Sequence, residues 1–479
     1  MNAFSPSLAA HPRNGAGPSH ARAGLRAFMA QVRGTLIAVT AMLPVVCAAN
    51  PALAQRGGLS LVRDAEIEGL LRDYTQPIFK AAGLGKGAVD VYIVNDDRFN
   101  AFVTGRRMFI NTGALKISQT PNEIIGVIAH ETGHIVGGHQ NRLRDRVDSA
   151  NIMAAIAMLA GAGAIVAGGD AGGAAGQALA LGSQSAILRD LLSYRRSEEA
   201  AADNTAIQLL DRTRQSGRGI LKTFERFSQD LLFSGSRVDP YLQSHPMPRD
   251  RIALLEEIAR KSPNFDVADP PALQLRHDMA RAKLVAYTGR AGELESMFRK
   301  DPQGAAARYG LAISLYLRGS DARALPIIDG LIKEQPNNAY LHEMRGEMLL
   351  RGRNAKAAVA AYQKAVQLDP WKSGLIRTEL GHAMLETRDP AMVGKAIGEI
   401  KAGLSRDTTN SAGFGLLARA YGQIGEENLA RAAAAEEAYY AGRFKEAKRL
   451  AQISQPKLKR GSPEWLRMQD IIDYKPPKK

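Results

Sequence analysis

The sequence predicts an α+β chain that is mainly α: a first domain with a small β-sheet, followed by an all-α repeat solenoid. Three observations carry that expectation. The run Val89 to Val94 alternates at the period of a half-buried strand. Thr120-Pro121-Asn122-Glu123 opens an apolar helical stretch with a capping residue, a proline at the first position and an acid in the first turn. Pro302, Pro336 and Pro370 stand 34 residues apart in an Ala-rich region without strand signals.

The chain has 479 residues, a formal charge of +15 and one cysteine. Its length suggests two or three domains, each able to bury a core without disulfides or metal staples. One cysteine excludes a disulfide framework and a four-thiolate zinc site, so metal chemistry here uses histidine and carboxylates. Residues 1–54 carry Arg13, Arg22, Arg26 and Arg33 but no acid, then the apolar run Thr35 to Ala49 and the triplet Ala52-Leu53-Ala54. This reads as a signal peptide with Gln55 as the new N-terminus and export to a bacterial periplasm. An internal start at Met29 and an uncleaved anchor stay open, although the apolar run is short for a span of about 20 residues. Cys47 leaves with the peptide. The mature charge is +11 after loss of four arginines. The excess is spread along the chain without a basic-aromatic cluster, which argues against nucleic acid and for diffuse attraction to anionic membrane surfaces or acidic clients.

Residues 55–265 read as mixed α and β. Asp64 to Ala82 is an amphipathic helix, Val89 to Val94 a strand, Asn95-Asp96-Asp97 a turn and Ala101 to Asn111 a second strand-like stretch. A helix then runs from Ile124 to about Gly137. Ile152 to Gly182 is rich in Ala and Gly with Asp170 as its one ionisable group, and two readings stay open. It is either a mobile apolar hairpin that touches a membrane or covers a cleft, or a small-residue helix pair packed into the core. Residues 266–479 form the second domain. Ala312, Gly346, Gly381 and Ala418 fill the small site of a first helix; Ala324 and Ala358 fill that of a second, with Ile328 and Tyr362 as its bulky partners. This 34-residue helix-turn-helix period resembles the tetratricopeptide repeat. About four such units stack into a solenoid whose concave face binds a peptide or partner.

The chemistry is carried by His130-Glu131-Thr132-Gly133-His134. Residues four apart on a helix share a face, so both imidazoles reach one metal while Glu131 sits beside them. A hydrolytic zinc needs a third protein ligand and an open position. His139 is the nearest histidine, but the metzincin spacing falls on Gln140, so His139 reads as a helix-end or core residue. The better source is Tyr194-Arg195-Arg196-Ser197-Glu198-Glu199-Ala200-Ala201-Ala202-Asp203. Glu199 and Asp203 share a face, so one carboxylate binds metal and the other orients a ligand histidine, with Glu198 competing with Glu199. The three alanines let this helix approach the metal helix.

His-Glu-Thr-Gly-His followed by Glu199-x-x-Ala202-Asp203 resembles the membrane-associated zinc metallopeptidase family that includes the prenyl-protein endopeptidase and the bacterial heat-shock membrane protease. The resemblance implies a zincin-like metallopeptidase domain holding one Zn2+ per chain through His130, His134 and Glu199, with Glu131 as the catalytic base. Asp203 then lies behind the ligands. A soluble periplasmic branch of the family, with a signal peptide and C-terminal tetratricopeptide repeats, is similar over nearly the whole mature chain. Asn100-Ala101-Phe102 matches its strand motif, and Ser244-His245-Pro246 with Arg251 matches its later segment, making His245 a displaceable fourth ligand. Arg251 and Tyr194 are candidate oxyanion or substrate contacts. The branch acts on unfolded or misassembled outer-membrane proteins and their assembly machinery, with possible peripheral membrane contact. A substrate is expected to enter extended, adding a strand along the Ala101 to Asn111 edge. The alternative is a chaperone or scaffold of outer-membrane protein assembly, acting through the repeats with a latent metal site.

Overall fold

A computed structural model describes residues 59–167, 169–233, 241, 244–246, 249–290 and 292–476. The signal-peptide reading of residues 1–54 lies outside them. Residues 60–479 form one compact unit.

Four short strands make a mixed sheet: β1 (Leu61–Val62), β2 (Asp90–Val94), β3 (Ala101–Thr104) and β4 (Arg107–Asn111). Their order is β1-β2-β4-β3. β2 and β4 run parallel, with Asp90 opposite Arg107 and Val94 opposite Asn111, while β1 and β3 pair antiparallel with their neighbours. The stretch Ala101 to Asn111 is therefore two strands and not one. Gly105, at φ 59°, turns the chain between them. β3 forms an outer edge among the described residues.

Helix α1 (Ala65–Ala81) and the buried helix α3 (Pro121–Gly137) pack together beneath the sheet, with the short α2 (Thr112–Ile117) before α3. Ile67, Leu70, Tyr74 and Ile78 of α1 meet Ile93, Met108 and Ile110 of the sheet and Ile124, Val127 and Ile128 of α3. α3 starts at Thr120 with Pro121 in its first turn, yet no side-chain cap bond forms there. Glu123, fully buried, is instead paired with Lys222 (2.8 Å) and Arg226 (2.9 Å) of α6 (Arg218–Phe233). Asp269 accepts the free N–H of Asn122 (3.1 Å), so the helix end is satisfied by distant segments rather than by a reciprocal box.

After α3 come the long helices α4 (His139–Ala167) and α5 (Gly169–Arg212), which pack along each other. The stretch 152–182 is thus largely helical, and its described part exposes Ile152, Met153 and Ile156. Among the described residues no helix is long and apolar enough to cross a membrane. α6 and α7 (Arg249–Arg260) complete the first core.

Helix α8 (Pro271–Thr288) serves two cores: Ala280 and Leu284 join the first, Met279 and Ala282 the second. The short α9 (Glu293–Met297) follows it. Four helix pairs then stack: α10 (Ala305–Leu317) with α11 (Asp321–Glu334), α12 (Ala339–Arg351) with α13 (Ala355–Leu368), α14 (Gly374–Glu386) with α15 (Pro390–Leu404), and α16 (Ser411–Gln423) with α17 (Glu427–Tyr440). α18 (Phe444–Ser454) and α19 (Pro463–Asp473) close the array. The small positions act as contact points: a Cβ on Gly346 would lie 2.8 Å from the Tyr362 ring, and one on Gly381 2.5 Å from Ile400.

The repeats also grip α1. Arg63 forks onto Asp407 (3.1 and 2.9 Å), Tyr309 donates to Glu66 (2.9 Å), and buried Lys283 pairs with Asp64 (2.7 Å). His277 of α8 bonds Tyr74 of α1 (2.9 Å) through Nδ1 and the Ser118 carbonyl (3.0 Å) through Nε2. Nε2 must donate to that carbonyl, so Nδ1 accepts from Tyr74 and the ring is neutral. Burial lowers its pKa to about 4. Because the folded value lies below the ordinary one near 6.5, the stabilisation is complete above pH 6.5 and drains as pH falls toward 4, by about 3 kcal/mol in all. Urea unfolding at pH 7 and pH 4.5 should therefore show a smaller acid loss for His277→Gln than for wild type. Equal losses would remove His277 as the cause.

Candidate active site

α3 brings His130, Glu131 and His134 to its end nearest α5. Gly133 faces that neighbour: a Cβ there would sit 2.8 Å from the Ala202 carbonyl oxygen and 3.0 Å from its Cα. The glycine and Ala202, itself fully buried, let the two helices approach, so Glu199 and Asp203 reach the histidines.

The Nε2 atoms of His130 and His134 lie 3.1 Å apart. Glu199 Oε2 is 3.4 Å from His130 Nε2, and Glu199 Oε1 is 3.6 Å from His134 Nε2. His245 brings Nδ1 to 3.0 Å from Glu199 and 3.3 Å from His130, and its Nε2 to 3.3 Å from Glu131. One ligand atom from each of His130, His134, Glu199 and His245 lies within 4.8 Å of the other three. Glu131, 1% exposed, contributes carboxylate oxygens that make no hydrogen bond.

The outer nitrogens of the paired histidines face acceptors. His130 Nδ1 is 2.9 Å from Asp203 Oδ1, which draws the proton to Nδ1 and leaves Nε2 free to ligate. His134 Nδ1 is 2.8 Å from His139 Nδ1, and His139 Nε2 is 3.0 Å from Glu198. Glu198 thus accepts from the His139 Nε2–H, His139 Nδ1 accepts from the His134 Nδ1–H, and His134 Nε2 keeps its lone pair. His139 and Glu198 stand behind His134, outside the group of converging ligand atoms. Arg142 holds Glu198 from outside at 2.9 Å, and Tyr194 lies with this group, its ring 5.0 Å from the Arg146 guanidinium. The metal motif tests only for ligands, so it passed over His139. The signal available was Gly137-Gly138, which closes α3 in a left-handed turn and folds His139 back over His134.

Arg251 forks onto Asp203 (2.6 and 2.9 Å), reaches Glu199 (2.8 Å) and donates to the Pro246 carbonyl (3.0 Å). Arg195 donates to the Ser244 carbonyl (2.9 Å), so the two arginines pin residues 244–246 beside the cluster. Arg251 is thus engaged as a brace between the two acids.

Charge in the cluster is arranged for a cation. Burial alone would lower His130, but bonds to Asp203 and Glu199 outweigh it and raise it to about 9. Burial would raise Glu199, yet His245, His130 and Arg251 hold it well below the carboxylate range. Burial raises Glu131, leaving it a stronger base than an exposed carboxylate. Three imidazoles and the Glu199 carboxylate bring nitrogen and oxygen donors together beside Glu131, a donor set that fits a divalent metal.

Residues 64–259 match the model of peptidase family M48. They are a peptidase family M48 domain. Beyond that domain the chain is similar to the beta-barrel assembly-enhancing protease of Yersinia pestis, 24% identical over 390 residues that span 80% of this chain and 78% of the relative. It is similar to the Escherichia coli K12 protein of the same name, 23% identical over 428 residues, 87% and 85% of the two chains. A putatively named Vibrio cholerae counterpart is 30% identical over 260 residues, 52% of this chain and 51% of its own. The chain is a metallopeptidase, and its M48 domain contains every residue of the cluster, from His130 to Arg251.

Proposed function

We propose that this metallopeptidase is a periplasmic, zinc-dependent endopeptidase acting in quality control and assembly of outer-membrane proteins. The observation that carries the reading is the convergence of His130, His134 and Glu199 with the unbonded Glu131 carboxylate beside them. The substrate class rests on similarity to proteins named for β-barrel assembly and on the repeat array attached to the M48 domain.

His130, His134 and Glu199 would hold the zinc, which when bound supplies Lewis acidity toward the scissile carbonyl and toward water. Glu131 takes the proton of the attacking water as the O–C bond forms, then delivers it to the amine as the C–N bond breaks. Asp203 and the His139–Glu198 pair keep the ligand rings in the tautomer that leaves Nε2 free. Tyr194 and Arg251 remain the candidates for contact with substrate or its oxyanion. The extended substrate pairs with the edge strand β3.

His245 favours a second reading, a chaperone or scaffold with a latent site, because the ring stands where a fourth ligand would close the open position. One experiment separates the two. Wild type and His245→Ala are stripped by chelation, reloaded with zinc and assayed on casein and for client binding. Both should regain cleavage with zinc, His245→Ala several-fold faster. Client binding without cleavage in either protein would favour the scaffold.

A further inference from the structure

Gln140, the second residue of α4, makes two hydrogen bonds that local helix formation does not explain. Its Nε2 donates to the Val103 carbonyl, and its Oε1 accepts from the Gly105 N–H (3.0 Å). A carbonyl can only accept and an N–H can only donate, so the orientation of the carboxamide is fixed.

Val103 lies in β3 and Gly105 opens the turn that follows it. Asn111 donates to the Asn100 carbonyl (2.9 Å), and Phe102 stands opposite Phe109, so even-numbered residues of this strand face β4. Ala101 and Val103 therefore turn their backbone groups outward, where no strand lies among the described residues. An incoming main chain would supply one donor and one acceptor to this edge. The Gln140 side chain supplies that same pair.

We propose that Gln140 is an internal stand-in for a substrate peptide unit, which an extended polypeptide main chain must displace to pair beyond Ala101. The idea rests on the edge-strand reading of substrate entry. It makes Gln140 a specificity-determining residue. A segment that pairs only at Ala101 leaves the carboxamide in place, while a longer extended segment replaces it and recovers both bonds. The carboxamide thereby competes with long extended chains and leaves short peptides untouched. The Gly137-Gly138 turn that directs His139 toward His134 also delivers Gln140 to β3, so the two residues are set by one piece of backbone.

The test uses the full-length, zinc-loaded Glu131→Gln protein, with and without Gln140→Ala or Gln140→Leu, and fluorescein-labelled casein as probe. Both substitutions should tighten casein binding about fivefold, since two competing hydrogen bonds of ordinary net strength are removed. A peptide too short to pass Ala101 should bind unchanged. Amide exchange gives an independent readout: the Gly105 N–H is protected in the parent, exposed in both variants and protected again by casein. Weaker or unchanged casein binding would overturn the proposal, as would equal tightening for the short peptide or unaltered Gly105 exchange. Leu restoring what Ala loses would reduce Gln140 to packing. Binding is read without catalysis. Tighter binding in a chain whose wild type never cleaves casein would thus count against the proposed zinc endopeptidase function and spare the role of Gln140.

Discussion

Glu131→Gln should lower casein cleavage by about 10²- to 10⁴-fold, the range of a lost general base, while metal content stays that of wild type. The side chain is almost fully buried, its oxygens accept no hydrogen bond, and its contact with His245 Nε2 is a long one of 3.3 Å, so little structural bonding is lost in the exchange. Glu131 is also absent from the four residues whose atoms converge within 4.8 Å, so metal binding does not depend on it. The amide is isosteric and uncharged. It removes the cost of a buried carboxylate whose pKa burial has raised, so the metal-free variant should melt no lower than wild type. Casein assays, metal analysis and thermal unfolding on one preparation check all three points. Retained cleavage with metal bound would sink the assignment of Glu131 as base.

The parts of this site that could be read in the sequence are those fixed by helical geometry. His130 and His134 share a face because they are four apart, and so do Glu199 and Asp203. That second spacing also separates Glu199 from Glu198, which points the other way, toward His139 and Arg142. The 34-residue period was equally legible, since proline and small residues mark helix ends and close approaches without reference to partners. What escaped depends on contacts between distant segments. The Glu123 pattern promised a capping box, but Lys222 and Arg226, about a hundred positions away, took its carboxylate instead. Arg63 meets Asp407 across 344 residues, and nothing local to either predicts it. Inside Ala101 to Asn111 the strand-like residues Phe102 to Thr104 and Met108 to Ile110 read as one run, and the turn at Gly105-Arg106 between them is a single glycine with no second turn residue.

These long-range contacts tie the stacked helices to α1 and its neighbours. α1 packs against α3 in the first core, and its start is held by Asp407 on Arg63, Lys283 on Asp64 and Tyr309 on Glu66. α8 adds His277, bonded to Tyr74 on the same helix.

Arg251→Ala should destabilise the metal-free protein by about 3–5 kcal/mol, because it leaves Asp203 and Glu199 buried without their cation. The guanidinium is 7% exposed and meets both acids in fork geometry, which a surface pair would not require. Asp203 in turn faces His130 Nδ1, so losing the brace should also weaken metal affinity by about 10- to 100-fold. Arg251→Lys keeps the charge but loses the fork. It should recover part of the stability and little of the metal affinity, since one ammonium cannot hold two carboxylates at fixed angles. Urea unfolding of the apo proteins and competition against a zinc chelator measure the two effects separately. A variant with wild-type stability and metal affinity but a reduced kcat would instead make Arg251 a donor to the oxyanion. Losses in both stability and affinity, with kcat preserved in the reloaded enzyme, would establish it as the brace.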